Sequence, residues 1–132
     1  MSEIHSLIVI TPAIAIDRDQ QIVLRYHRTV FLPARTWHLL AYLLDHPHRL
    51  IPDATLLMVG WPHEDWHAPS DLYRHMHRIR GAIEPDPRHP QVLLTRREVG
   101  YLLWLPPSRV SRDPHLIARI GCDIQIPAPN DR

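Results

Sequence analysis

Lysine is missing from this sequence altogether: all 15 basic residues are arginine. Arginine offers a planar fork that pairs bidentately with phosphate or guanine, but biased codon usage yields the same composition, so the absence assigns no partner by itself. Cysteine is almost missing too. Cys122 stands alone, which excludes an intrachain disulfide and suits a reducing compartment. No apolar run reaches membrane-spanning length, and the apolar N-terminal stretch is broken by Pro12 with no basic region before it. A soluble, cytoplasmic protein with no membrane partner is therefore expected. A strong net charge is lacking as well: the formal value of +1 at pH 7 is too small for an indiscriminate polyanion binder. No internal repeat or low-complexity tract is visible, and 132 residues suffice for one small domain with an appendage.

What is present concentrates between Ser70 and Tyr101, where six arginines (74, 78, 80, 88, 96, 97) face four acids (71, 84, 86, 98). Leu72, Met76, Ile79 and Ile83 recur at the spacing of one helical stripe. At about 100° per residue, the opposite pole collects Ser70, Arg74, His77, Arg78 and Gly81, with Tyr73 and Arg80 on one flank and His75 on the other. The spacing predicts a helix over 70–84 with Ser70 as its N-cap, ended by Pro85 and Pro87. Residues 91–95 and 100–105 read as two β-rich runs joined by the charged turn Arg96-Arg97-Glu98-Val99. A hairpin beside a basic helix is the outline of a wing.

The run His75-Met76-His77-Arg78-Ile79-Arg80-Gly81-Ala82-Ile83-Glu84-Pro85-Asp86-Pro87-Arg88-His89-Pro90, followed by Thr95-Arg96-Arg97-Glu98-Val99-Gly100-Tyr101, resembles the C-terminal DNA-binding domain of OmpR/PhoB-type response regulators. That family carries an R-L-R-x-x-[LIV]-E helix, a D-P-x-x-P turn and a T-V-R-G-x-G-Y wing. The resemblance extends upstream through Leu32 to Trp61. It implies an α+β winged helix-turn-helix spanning 1–105, with an N-terminal antiparallel sheet (6–32), three helices, a recognition helix (70–84) and a C-terminal wing (91–105). Residues 106–132 form an extension of unknown role, in which Leu116–Ile126 is too apolar for an inert tail. It would add a strand to the wing sheet or supply a surface for self-association. A chain of this length has no room for the receiver domain that such regulators usually carry, so a phospho-aspartate switch would have to come from another protein.

Upstream, residues 6–10, 13–16, 21–26 and 29–32 read as strands, the last two flanking a turn at His27-Arg28. Pro33 opens a helix with Trp37, Leu40, Ala41 and Leu44 on one face, stopped by Asp45-His46-Pro47. Leu50-Ile51 is a brief extended link, and a short helix from Pro52 or Asp53 to Val59 turns Leu56, Leu57 and Val59 inward before Gly60 stops it.

The resemblance also implies roles. The recognition helix would lie in the major groove and the wing in the neighbouring minor groove. Arg78 and Arg74 fall where the family approaches base edges; His75, His77 and Arg80 hold phosphate-contacting positions. Ser70 and Thr95 would donate hydroxyls to the backbone, and Arg97 matches the wing arginine that enters the minor groove. Trp61 matches the family's V-W-G tryptophan, whose indole N–H donates to a phosphate, although packing over the helix junction serves equally. Arg88 and Arg96 are expected to be solvated surface charges. Double-stranded DNA is the implied partner, with RNA polymerase approached through the loop 60–69 and a homodimer formed on direct repeats. No cofactor, metal or enzymatic activity is implied.

Three departures bear on these roles. Glu98 stands where the family has the wing glycine, which should hold the turn to non-glycine angles and set an anion beside the DNA. His27-Arg28 and His48 likewise replace turn glycines, while Gly81 interrupts the recognition helix and permits close backbone approach. A winged-helix protein-interaction module that has lost DNA binding is the alternative. A remoter one is a zinc metallohydrolase built on His63-Glu64-Asp65-Trp66-His67, an H-E-x-x-H pattern. Pro62 and Pro69 leave that motif at most about two helical turns.

Overall fold

The computed structural model describes residues 7–64, 67–106 and 110–111. In chain order the elements are β1 (Leu7–Thr11), β2 (Ile14–Asp17), β3 (Ile22–Arg25), β4 (Arg28–Phe31), α1 (Ala34–Asp45), β5 (Leu50–Pro52), α2 (Asp53–Gly60), α3 (Ser70–Ile83), β6 (Leu93–Arg96), β7 (Gly100–Leu103) and β8 (Val110–Ser111). They fall into two units, one of them Leu32–Leu105 and the other holding the described residues before and after it. Among the described residues no helix is long and apolar enough to cross a membrane.

The first unit, which holds β1–β4 and β8, is an antiparallel sheet in the order β4-β3-β2-β1-β8. Alternation puts Leu7, Ala15, Ile22 and Leu24 into one buried cluster, with Val9 packed against it. Arg25 pairs with Arg28, so the β3–β4 hairpin turns on Tyr26-His27, one residue earlier than the sequence suggests. Both turn residues have positive φ, 46° and 68°, as a two-residue turn matched to strand twist demands. Side chains other than Asn or Gly are unusual there, and the expected His27-Arg28 turn slips because of this geometry. The short strand β8 pairs with β1, so Val110 and Ser111 extend the N-terminal sheet. The segment 112–132, including the apolar Leu116–Ile126, lies outside the described residues.

The second unit, Leu32–Leu105, packs α1, α2 and α3 with a three-stranded antiparallel sheet in the order β5-β7-β6. The α3 stripe forms as its spacing predicts: Leu72, Met76, Ile79 and Ile83 are all buried, each contributing about 1.5–3 kcal/mol of apolar transfer. On α1 the buried stripe is Thr36, Trp37, Leu39, Leu40, Leu43 and Leu44. It is wider than expected, and Ala41 lies at its half-buried edge. On α2 only Leu56 and Gly60 are buried. Leu57 and Val59, expected inward, are only half-buried. The link Leu50–Pro52 proves to be a strand paired with β7, which makes the expected hairpin three-stranded. The whole is an α+β winged helix-turn-helix with an N-terminal antiparallel sheet, three helices and a C-terminal hairpin.

Candidate nucleic-acid interface

The start of α3 is held by a cluster that the sequence hides. Pro69 adopts helical angles at the N-cap, and Leu72 N–H already donates to the Pro69 carbonyl at 3.0 Å. Ser70 is thus the first helical residue and makes no capping bond, correcting its expected role as N-cap. Asp71 instead reaches back to accept the Ala68 N–H at 3.0 Å, fixing the chain just before the helix. The same carboxylate accepts from His67 Nδ1 at 2.9 Å, while Glu64 accepts from His67 Nε2. The imidazole also stacks on the Trp61 indole, centroids 4.5 Å apart. Hydrogen bonds to Glu64 and then Asp71 raise the His67 pKa above its ordinary value, and the bond to His67 lowers that of Asp71.

This cluster also answers the H-E-x-x-H motif. Glu64 and His67 lie outside any helix, so the periodicity that would align two imidazoles on one metal is missing at the described residues. Glu64 and His67 bind one another, and among the described residues no group of three ligating side chains could hold a metal ion.

Trp61 is only 5% exposed, with the Arg35 guanidinium 4.9 Å above its ring. It packs over the helix junction, as one of its two expected roles has it. His75 needs a plainer correction. It is 6% exposed and shares a hydrogen bond of 2.8 Å with the Thr36 hydroxyl across the α1–α3 contact. A side chain so placed cannot reach a phosphate. Burial, followed by the charges of Arg74, Arg78 and Arg35, pushes its pKa down.

The other end of α3 is bolted to the wing. Glu84 is fully buried, and its carboxylate accepts the N–H groups of Gln91 and Val92 at 2.8 Å and of Leu93 at 2.6 Å. Arg80, expected at a phosphate, turns toward the hairpin: its Nε donates to the Leu93 carbonyl at 3.0 Å and its Nη2 to the Thr95 hydroxyl. Its guanidinium also lies 5.9 Å from the Tyr101 ring centre. Burial raises the Tyr101 pKa, with the Asp53 charge adding to it.

The wing turn is closed by Val99 N–H donating to Arg96 O at 2.9 Å. Glu98 takes φ 62°, the left-handed angle natural to glycine. The expectation that glutamate would hold this turn to non-glycine angles is therefore corrected: the backbone geometry is kept and the residue carries the strain. His48 does likewise at φ 63°, where its Nε2 lies 3.0 Å from the Leu105 nitrogen. Gly100 is indispensable in a different sense, because a Cβ there would sit 1.9 Å from the Ile51 carbonyl oxygen on β5. Gly81 has open space beside it.

What remains outward is the expected polar pole. Ser70, Tyr73, Arg74, His77, Arg78 and Gly81 are exposed on α3, and Thr95, Arg96, Arg97 and Glu98 on the wing. No hydrogen bond or ion pair with a described residue engages the side chains of Arg74, Arg78, Arg96 or Arg97. Between the first turn of α3 and the wing runs a groove of about 930 Å³, lined by Ser70, Tyr73, Arg80, Thr95, Arg96, Arg97 and Tyr101 together with the acids Asp53 and Glu98. A second groove, about 540 Å³, follows α3 past Tyr73, Arg74 and His77. Arg96, read from sequence as mere surface, thus shares a groove with Arg97. Tyr73 and Tyr101 line the groove as well, which sequence does not show because an aromatic on a helix flank or in a strand reads as packing.

Residues 27–103 match the family model described as "Transcriptional regulatory protein, C terminal". The chain is 30% identical over 90 residues to the uncharacterized transcriptional regulatory protein YcbL of Bacillus subtilis, covering 68% of this chain and 40% of that one. It is 28% identical over 102 residues to the sensory transduction protein RegX3 of Mycobacterium tuberculosis, covering 77% and 45%. It therefore spans less than half the length of these relatives. Among solved structures, the response regulator DrrB of Thermotoga maritima, an OmpR/PhoB homolog, superposes with a TM-score of 0.64 at 28% identity, covering 74% of this chain and 44% of that one. The RstA DNA-binding domain of Klebsiella pneumoniae, in complex with the RstA box, shares the fold with a TM-score of 0.59 at 19% identity, covering 74% and 96%. With the hairpin, the three helices and a family match over more than half of the sequence in agreement, the chain belongs to the OmpR/PhoB-type family of transcriptional regulatory protein C-terminal domains.

Proposed function

We propose that this domain binds double-stranded DNA in a sequence-specific way as part of a transcription regulator, with α3 in the major groove and the wing in the adjacent minor groove. The observation that carries this reading is a set of guanidinium groups that no described residue engages, Arg74 and Arg78 on the helix and Arg96 and Arg97 on the wing, exposed on two elements that Arg80 and Glu84 tie together. Exposed arginines without partners add little to folding, which leaves an external anion as their use. Arg78 reads guanine O6 and N7, a contact worth about 1–3 kcal/mol of discrimination. Arg74 joins it at the base edges, and His77, Ser70 and Thr95 contact the backbone. Arg97 enters the minor groove. Arg80 acts from within by fixing the wing. Residues 1–105 form the functional domain, 106–132 its extension.

Two copies would occupy direct repeats head to tail, and the loop 60–69, next to the exposed Met58, would face RNA polymerase in the cytoplasm. Asp53 and Glu98 in the groove favour one competing reading, a protein-docking module, because anions repel phosphate. Selection from a random duplex pool, followed by a salt titration, separates the two. A DNA reader enriches a motif and binds it with affinity falling steeply with salt; a docking module enriches nothing.

A further inference from the structure

We propose that Tyr73 is a specificity-determining residue, reading a thymine methyl group from the first turn of α3. The inference rests on the DNA-binding reading above. Tyr73 is 72% exposed, although the stripe on the same helix buries every other large apolar side chain it carries. Its neighbours on the outward face are the polar or charged Ser70, Arg74, His77 and Arg78. Tyr73 lines both grooves, the one against the wing and the one along α3. The ring is therefore the ridge between them, on the N-terminal part of the helix that meets base edges in this docking mode.

The chemistry of that ridge differs from that of its neighbours. Guanidinium and imidazole groups read hydrogen-bonding edges, and none distinguishes thymine by its C5-methyl group. An apolar plate does, because the methyl projects into the major groove and is buried on contact. The ring is attached through only two rotatable bonds, so ordering it costs less than ordering an arginine. The structure thus supplies two kinds of reader on one face: forked donors for guanine and one aromatic plate for thymine.

The test uses the full chain and the duplex it selects from a random pool. Each thymine of that motif is replaced in turn by deoxyuridine, which deletes only the methyl. The wild type should lose about fourfold in affinity at one position, the worth of one buried methyl group. Tyr73→Phe should keep that sensitivity, and Tyr73→Ala should bind the thymine and deoxyuridine duplexes equally while melting like the wild type. If Tyr73→Ala selects the same motif and stays methyl-sensitive, or if no deoxyuridine weakens wild-type binding, the assignment of Tyr73 is overturned and DNA binding stands. If the wild type selects no motif at all, the DNA-binding reading fails and the assignment with it.

Discussion

Arg78 and Arg80 lie two residues apart on α3 and end in opposite situations. Arg80 points to the hairpin, where a carbonyl, a hydroxyl and an aromatic ring receive its guanidinium. Arg78 points to solvent, and no hydrogen bond or ion pair with a described residue holds it. The same division runs the length of the helix. His75 and Glu84 are buried and bonded to Thr36 and to the backbone of Gln91–Leu93, whereas Arg74 and His77 are exposed. One side of α3 fixes geometry and the other is left for a ligand, so substitutions should separate folding from binding according to side.

The largest effect is expected on the inward side. Glu84→Gln turns an amide N–H₂ toward buried N–H donors that a carboxylate now accepts, and should cost about 3 kcal/mol or more of stability. Urea denaturation would read it, and a loss below about 0.5 kcal/mol would break the comparison. Arg80→Met should cost about 1–2 kcal/mol through its bonds to Leu93 and Thr95. It should also loosen the wing, visible as faster amide exchange at 93–95 than in the wild type.

The two histidines sharpen the contrast through pH. The His67 pKa is raised from 6.5 by Glu64 and Asp71. Its contribution to stability is therefore complete below 6.5 and lost as pH rises through the raised value. The His75 pKa is lowered from 6.5 by burial and neighbouring arginines; its contribution is present above 6.5 and lost as pH falls through the lowered value. Melting curves across that range should show His67→Asn removing the alkaline-side loss and His75→Gln removing the acid-side loss. Opposite assignments would contradict the geometry. The smallest effect belongs to the outward side: Gly81→Ala, with open space for its methyl, should raise stability by up to about 1 kcal/mol. A weaker complex with DNA from the same variant would show that the backbone is approached there.

What could be read from sequence follows the same division. The stripe Leu72-Met76-Ile79-Ile83 and the polar pole opposite it were legible because helical periodicity is a local property. Inward polar contacts were not, because their partners are remote. His75 flanks the stripe on a helical wheel, and Thr36, 39 residues away, together with the Trp61 ring makes it a core residue. Glu84 reads as a helix-end acid until the chain returns seven to nine residues later with N–H groups for it. The Gly100 motif was visible, but its reason, the Ile51 carbonyl, required knowing that β5 joins the wing. Ser70 reads as a cap from its hydroxyl alone, but Pro69 already takes helical angles before it. At Glu98 and His48 the fold imposed a left-handed angle that residue identity argues against.

The division between the faces of α3 is tested most directly by measuring stability and affinity for the selected duplex together in Arg78→Ala. Stability should stay within about 0.5 kcal/mol of the wild type, while binding weakens by about 1–3 kcal/mol and preference relaxes at a single guanine. A variant that binds the selected duplex as tightly and as selectively as the wild type would contradict the account.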